Sequence, residues 1–472
     1  MSLLALPWLD IALALALVGA VLVSRVRDAQ QAFRAGVAFT GAVFVATLLA
    51  WADFYLGISD ASRRVPGWQP LVLGERFGGV LFAMDDLNAP LLPTVALLHF
   101  LIGFATPRTK MRRFSFSWSL ASEAIRLALF ACNEPWVLVG LLALESVPPF
   151  IELRNRGKPT RVFILHMVVF VLFLTGGQLL SGTAAGPILL MLAILVRCGT
   201  APLHCWITDW FEHASFGNAL LFVAPLAGVY AAVRLLLPTA PEWVLQSVSI
   251  ASLITAVYGA ALGLVQREVR RFFSYLFVSH ASLVLVGLEM HTPVALTGAF
   301  CLWFSAILSL GGFGLVLRAL EARYGRLSLA NFHGLYDQTP TLAVSFLLTG
   351  LAAVGFPGTL GFVSAELLVD GAIEANLYVG LGVLAAAAIN GIAVIRVYFL
   401  IFTGARHHST VFLGLGLRER IAVLTLVALI LGGFVFPQPG VDSRYGPAEA
   451  IVRKRIEAKL DPIPEQHVTL HP

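Results

Sequence analysis

Apolar residues run along the chain in stretches of about 20, the length a helix needs to cross bilayer hydrocarbon, separated by short segments rich in charge, Pro and Gly. Counting these runs predicts about fourteen transmembrane helices, near 5–23, 33–57, 84–105, 116–132, 136–151, 162–180, 186–207, 217–237, 243–265, 273–289, 294–317, 341–363, 376–403 and 419–436. The first run, Ala5 to Val23, has no basic region before it and no small-residue cleavage site after it, so it is expected to remain as the first span. The implied fold class is an all-α polytopic membrane protein. Composition agrees: 58% of the 472 residues are hydrophobic, 12% are charged and mean hydropathy is +0.84. A soluble domain carries roughly 25% charged residues, so a water-soluble globule is excluded.

Charge placement then orients the spans. Loops that leave odd-numbered spans hold 20 Lys and Arg, against 4 for even-numbered spans, with residues at span ends counted in the adjoining loop. By the positive-inside rule the runs at 107–113, 154–161 and 266–271 face the cytoplasm, and the amino terminus lies outside the cytoplasmic (inner) membrane. These basic runs read as topology anchors in contact with the lipid bilayer, not as a nucleic-acid surface, although the net charge is +5. Cys132, Cys198, Cys205 and Cys301 lack the paired spacing of a metal or redox site and read as small apolar packers.

Two spans are interrupted by Pro and Gly: GTAPLHCW (199–206) in the seventh and GFPGTLGF (355–362) in the twelfth. Backbone groups freed at such breaks must face protein or a polar cavity, and matched breaks point to inverted repeats. The sequence divides on this basis into 1–115 (helices 1–3), 116–240 (a first five-helix repeat), 241–405 (a second) and 406–472 (helix 14 and a tail). Within the tail, 447–460 reads as a short amphipathic helix lying on the membrane or docking a partner.

An ionisable side chain in hydrocarbon costs roughly 2.5–3.5 kcal/mol even on the lenient insertion scale, so each needs a partner or a role. Glu123 and Arg126, three apart on the fourth span, share a face and are expected to pair with each other. Glu145, in the fifth span before two prolines, and Arg197, just ahead of the seventh-span break, are expected to form a buried ion pair. His99, His166, His204 and His280 carry the side chain suited to proton exchange near neutral pH; His204 borders the break, and His280 lies between Ser279 and Ser282. Glu366, Asn390 and Arg396 extend a polar axis into the twelfth and thirteenth spans.

Three stretches resemble the antiporter-like membrane subunits of respiratory complex I and Mrp-type cation/proton antiporters. RCGTAPLHCWITDWFE (197–212) with NALLFVAPLAGVYAAVR (218–234) is similar to that family's broken seventh helix and the helix after it. LVQREVRRFFSYLFVSHASLVLVG (264–287) resembles its Q-x-(D/E)-(I/V)-(K/R)-R loop and the following helix. GLAAVGFPGTLGFVSAELL (350–368) is similar to its broken twelfth helix, and Glu145 falls at its fifth-helix glutamate. The resemblance implies a proton pathway built on a row of lysines and histidines, and here the chain departs from it. The seventh-helix lysine position is Arg197, the eighth falls near Leu226, the eleventh-helix position is Ser305, and the twelfth-helix site is matched by Glu366 displaced by one residue. All four lysines, Lys110, Lys158, Lys454 and Lys459, lie in loops or tail. Arginine keeps its proton in proteins, so Arg197 can be a counter-ion but not a relay.

Three readings follow. The chain is a proton- or cation-translocating membrane subunit of a multi-subunit energy-coupling complex, with Glu145, Arg197, His204, His280, Glu366, Glu123, Arg126 and Arg396 along the pathway. Alternatively it resembles the membrane subunit of a DAB-type inorganic-carbon uptake system, partnered with a zinc-dependent carbonic-anhydrase-like protein. A third reading is a non-conducting scaffold of the same fold. In each, the partners are other membrane or peripheral subunits. The chain itself carries no cofactor or metal motif and no catalytic chemistry, though it could serve a proton-translocating oxidoreductase.

Overall fold

The computed structural model describes residues 6–57, 81–289, 292–404 and 414–458, so Ala5 and the end of the tail segment, 459–460, lie outside the described residues. The helices of the first half are α1 (Trp8–Ser24), α2 (Ala29–Leu56), α3 (Leu91–Phe104), α4 (Phe116–Ala131), α5 (Pro135–Leu144), α6 (Val147–Asn155), α7 (Arg161–Leu179), α8 (Ala185–Cys198), α9 (Cys205–His213), α10 (Phe216–Val223) and α11 (Ala227–Ala231). The second half holds α12 (Glu242–Val265), α13 (Val269–Val286), α14 (Pro293–Tyr324), α15 (Pro340–Ala353), α16 (Leu360–Ala375), α17 (Leu377–Phe402), α18 (Leu417–Val435) and α19 (Gln438–Glu457).

Each expected span coincides with helix, yet the number fourteen is not reached by length and composition. Among the described residues, eight helices are long and apolar enough to cross a membrane, nine if α18 and α19, bent by 78°, count together. Shorter apolar helices occupy 8–24, 91–104, 185–198 and 340–353. Part of the shortfall comes from helices under 18 residues at the first, third and fourth expected spans, and the rest from the seventh and twelfth, which are each two half-helices, α8/α9 and α15/α16, parted by six residues. Both breaks open on a left-handed glycine, Gly199 at φ +71° and Gly355 at φ +76°, a conformation that side-chain-bearing residues rarely adopt. The fifth and eighth expected spans are interrupted as well, at 145–146 and 224–226.

Half-helices leave carbonyls without an intrahelical partner, and aromatic side chains supply them. The Trp206 indole N–H donates to Val196 O at 2.8 Å across the first break, and Trp303 Nε1 donates to Pro225 O at 3.0 Å in the eighth. Tyr230 donates its hydroxyl to Phe130 O at 2.6 Å and packs edge-on to the Phe130 ring, joining α11 to α4. No water is needed at these points, which is what a hydrocarbon surround requires.

α14 is the spine of the molecule. At 32 residues it is about 48 Å long at 1.5 Å per residue, is buried over most of its length, and packs against α13, α15, α16, α18 and α19. Close approach to α16 depends on Gly298, where an added Cβ would lie 2.7 Å from Leu368 N and 2.8 Å from Leu367 C.

The basic loops do more than orient the chain. Arg270 holds Glu321 through Nε and Nη2 at 2.6 and 2.7 Å and donates Nη1 to the carbonyls of Phe211 and Ala214. Arg318 donates to Ile102 O and Thr106 Oγ1, both at 2.7 Å, and so ties α14 to α3. Arg323 holds Glu419 at the start of α18. At the opposite end the tail corrects the sequence expectation. It forms a longer helix, α19, docked on this chain itself. Arg444 donates to Leu87 O and Asp86 O at 2.8 and 3.1 Å, while Arg455 donates to Leu237 O and Ala240 O, and both arginines are buried. The tail therefore shares a face with the loops that leave even-numbered spans. Cys205, read as a packer, is exposed; the other three cysteines are buried.

Gly298→Ala should wedge α14 away from the α16 backbone and cost about 1–3 kcal/mol, seen as a lower Tm of the detergent-solubilised protein. Gly432→Ala, where no atom lies within 4 Å of the new methyl, should not lower Tm.

Candidate functional site

Three elements bring charge into the first half. α4 starts from Ser115, whose hydroxyl accepts from Trp118 N, and places Glu123 and Arg126 one turn apart. α5 ends at Glu145: Pro148 and Pro149 have no N–H, so the carbonyls of Leu144 and Glu145 lose their helical donors and regular helix is interrupted there. α8 carries Arg197 in its last turn before the Gly199 break.

The three side chains converge. Arg126 donates from Nε and Nη2 to Glu145 Oε1, at 2.9 and 2.8 Å, and Arg197 donates from Nη2 to Glu145 Oε2 at 3.0 Å. All three side chains are at most 3% exposed, so water screens the pairing little. Arg197 also lies over the Phe222 ring at 4.4 Å and near Trp206 at 5.5 Å, an aromatic seat suited to a flat guanidinium. The expected Glu145–Arg197 pair is thus present. The expected Glu123–Arg126 pair is not: Arg126 is turned to Glu145, and neither oxygen of the fully buried Glu123 has a hydrogen-bond partner. Sequence spacing favoured the neighbour on one helix, but a bidentate grip across helices outcompeted it.

His99 completes the centre, and sequence reasoning left it outside the pathway because no spacing rule links α3 to α4. Arg126 Nη1 meets His99 Nε2 at 3.3 Å, and His99 Nδ1 meets Val95 O at 3.0 Å. Arginine can only donate, and a carbonyl can only accept. His99 is therefore the neutral tautomer with its proton on Nδ1.

In the second half, His280 lies between two carbonyl oxygens, Leu276 O at 2.8 Å from Nδ1 and Ala353 O against Nε2. Ala353 is the last residue of α15, so its carbonyl is free because of the second break. Both contacts can be hydrogen bonds together only in the doubly protonated ring, whose two N–H groups match the two acceptors. Ser279 does not serve His280: it donates to Ala256 O and accepts from Asn390 Nδ2, each at 2.8 Å. His280 and Glu366 line one cavity of about 280 Å³, although Glu366 is exposed. His204 packs between the rings of Tyr258 and Tyr275, with Nδ1 unpartnered. His166 is half-buried and bonded to Val162 O. Arg396 departs from the expected axis: it is half-buried and donates to Gln266 O at the end of α12, at 3.4 Å. The polar side chains form two clusters, one on each broken span, and among the described residues no hydrogen bond or ion pair joins them. Among the described residues no three His, Cys, Asp or Glu gather as a metal site.

Residues 160–390 match the family described as NADH:quinone oxidoreductase/Mrp antiporter, TM. Over that stretch, just under half of its length, the chain is similar to the antiporter-like membrane subunits. NADH-quinone oxidoreductase subunit 13 of Thermus thermophilus is 28% identical over 393 residues, covering 75% of this chain and 81% of that protein. Subunit M of Pseudomonas aeruginosa is 26% identical over 458 residues, covering 85% and 88%. A chain of respiratory complex I from Thermus thermophilus superposes with TM-score 0.81 at 23% identity, over 94% of this chain and 99% of that one. A chain of the Mrp complex from a Dietzia species does so with TM-score 0.80 at 17% identity, over 98% and 100%. The protein is a multi-pass membrane protein in which a carboxylate shared by two arginines stands where the resemblance implied a glutamate and a lysine.

Glu145→Gln should strand two buried guanidinium groups and cost about 3–5 kcal/mol, the usual penalty for removing one side of a buried pair. The check is thermal unfolding in detergent, where the Gln variant should melt well below wild type or fail to accumulate as folded protein.

Proposed function

We propose that this chain is the proton-translocating membrane subunit of a multi-subunit energy-coupling complex, set in a cytoplasmic membrane with its amino terminus outside. One observation carries the reading: a fully buried carboxylate held between two arginines, beside a broken span. Such groups are expensive in a membrane and are retained where ions move. The relatives support it, being subunits of respiratory complex I type and of an Mrp complex by their names. The units 116–240 and 241–405 then act as two inverted halves, each with its own broken span and ionisable cluster.

Within this reading the roles divide by chemistry. Arg126 and Arg197 keep their charge and set the field. Glu145 is a switch, since one carboxylate shared by two cations on different helices can lean toward either. His280 holds a proton beside the break of the second half, and His204 offers an unpartnered nitrogen beside that of the first. The absence of lysine from the spans favours one alternative assembly, in which the partner is a zinc-binding soluble protein serving inorganic-carbon uptake.

The assembly is tested by tagging the chain, purifying it in mild detergent and identifying what co-purifies. Several membrane subunits with iron or flavin are expected; a single large zinc protein would replace that assembly with the alternative. Reconstituted in vesicles with a pH-sensitive dye, the complex should move protons. A switch in the pathway predicts that Glu145→Asp, which keeps the charge between the two arginines but shortens its reach, slows the flux at least about tenfold, equivalent to about 1.4 kcal/mol on the barrier. No flux from the intact complex would leave only the scaffold.

A further inference from the structure

Glu145 is poorly placed to exchange a proton. Both of its oxygens are engaged, Oε1 twice by Arg126 and Oε2 by Arg197, and protonating it would strip two buried arginines of a shared carboxylate. Glu123 has the opposite character. It is fully buried, neither oxygen has a hydrogen-bond partner, and it sits on α4 one turn before Arg126. A buried carboxyl without hydrogen bonds is stable when it carries a proton, or when it is reached by water and by a nearby cation. Those are the two states an exchange group must visit.

A cleft on the basic face stops at Ser119, Ser122 and Arg126, so that their neighbour Glu123 lies just behind the cleft wall. The cleft, of about 100 Å³, has Arg113 and Arg156 at its mouth, Ser115, Ser119 and Ser122 along one wall and Arg126 at its inner end. Ser115, Ser119 and Glu123 follow one another at four-residue spacing on a single face of α4, and their exposure falls from open to 5% to 0%. Successive members are about 6 Å apart along the axis at 1.5 Å per residue, a gap that one water bridges. The one carboxylate of the cleft wall, Glu152, is occupied by Ser215 N and Asn218 Nδ2 and does not compete.

Charge balance couples the two carboxyls. With Glu123 protonated, the centre holds two arginines against one carboxylate; with Glu123 ionised, it is neutral. His99, neutral by its hydrogen bonds, adds nothing to this sum. Arg126 gives Glu145 two of its five N–H groups and His99 a third, which leaves two free to turn toward an ionised Glu123 three residues away.

We infer that Glu123 is the proton-binding group of this centre, loaded through the serine-lined cleft of the basic face, and that its charge decides how firmly Arg126 holds Glu145. The inference deepens the proton-translocating reading and rests on it. The test is infrared difference spectroscopy of the purified complex with hydrogen–deuterium exchange, alongside proton flux in vesicles. Wild type should show the carbonyl stretch of a protonated carboxylic acid, shifted by deuterium. Glu123→Gln should remove that band and slow flux at least about tenfold, at the low end of what a lost acid–base group costs or below it. Glu123→Asp should retain both the band and part of the flux, which separates loss of the acid from loss of folding. A band that survives Glu123→Gln overturns the inference. So does full flux in that variant, and in that case proton translocation itself stands; absence of flux in wild type sinks the translocation reading instead, while the band still reports whether Glu123 binds the proton.

Discussion

One carboxylate shared by two guanidinium groups in a deeply buried region is the constraint on which the first half of this molecule depends. Placing an arginine in hydrocarbon is costly, and placing two within reach of one another adds repulsion. Glu145 offsets both terms because three spans deliver their side chains to one point: α4 with Arg126, the junction between α5 and α6 with Glu145, and the end of α8 with Arg197. The interruption places the carboxylate at the end of α5. The Gly199 break does the same for Arg197, whose planar head is then steadied by Phe222 and Trp206. A lysine at this position would bring one point charge and no flat face, so Arg197 changes the centre from a relay to a fixed field.

The broken spans and the buried charges are two sides of one arrangement. Interrupting a transmembrane helix frees carbonyls that hydrocarbon will not solvate, and each must find a donor within the protein. Trp206 serves the first break, Trp303 the eighth span and His280 the second break. The first two donors are permanent, since an indole keeps its N–H. The third is conditional, because His280 satisfies Leu276 O and Ala353 O together only as a cation. One break is therefore held by a fixed cap and the other by a titratable one, which gives the two halves different chemistry on a similar backbone.

Much of this was legible in the sequence. Apolar runs located the helices, and the Pro/Gly interruptions at 199–206 and 355–362 marked both half-helix pairs. The Glu145–Arg197 pair was also accessible, because both residues had the same need and few partners. What the sequence could not show was competition in three dimensions. Glu123 and Arg126 satisfy the one-turn rule, but a rule about neighbours on one helix is blind to a better acceptor on another. His99 and Arg126 are 27 residues apart, and nothing local announces their contact. Arg396 reads as intramembrane by its position in an apolar run, yet its long side chain reaches the Gln266 carbonyl at the rim. The tail helix looked like a free amphipathic segment because the carbonyls that receive Arg444 and Arg455 belong to loops far away in the chain.

The claim on which the rest turns is that Arg126 and Glu145 hold each other inside the protein, and a double-mutant cycle measures that directly. Unfolding free energies of wild type, Arg126→Met, Glu145→Gln and the double variant would be compared in detergent. The account predicts that the double variant loses less stability than the two single losses added together, with a coupling between about 0.5 and 3 kcal/mol, as residues in one ion-pair network show. Strict additivity, with the double variant losing the sum, would mean that the two side chains do not interact and would contradict the arrangement.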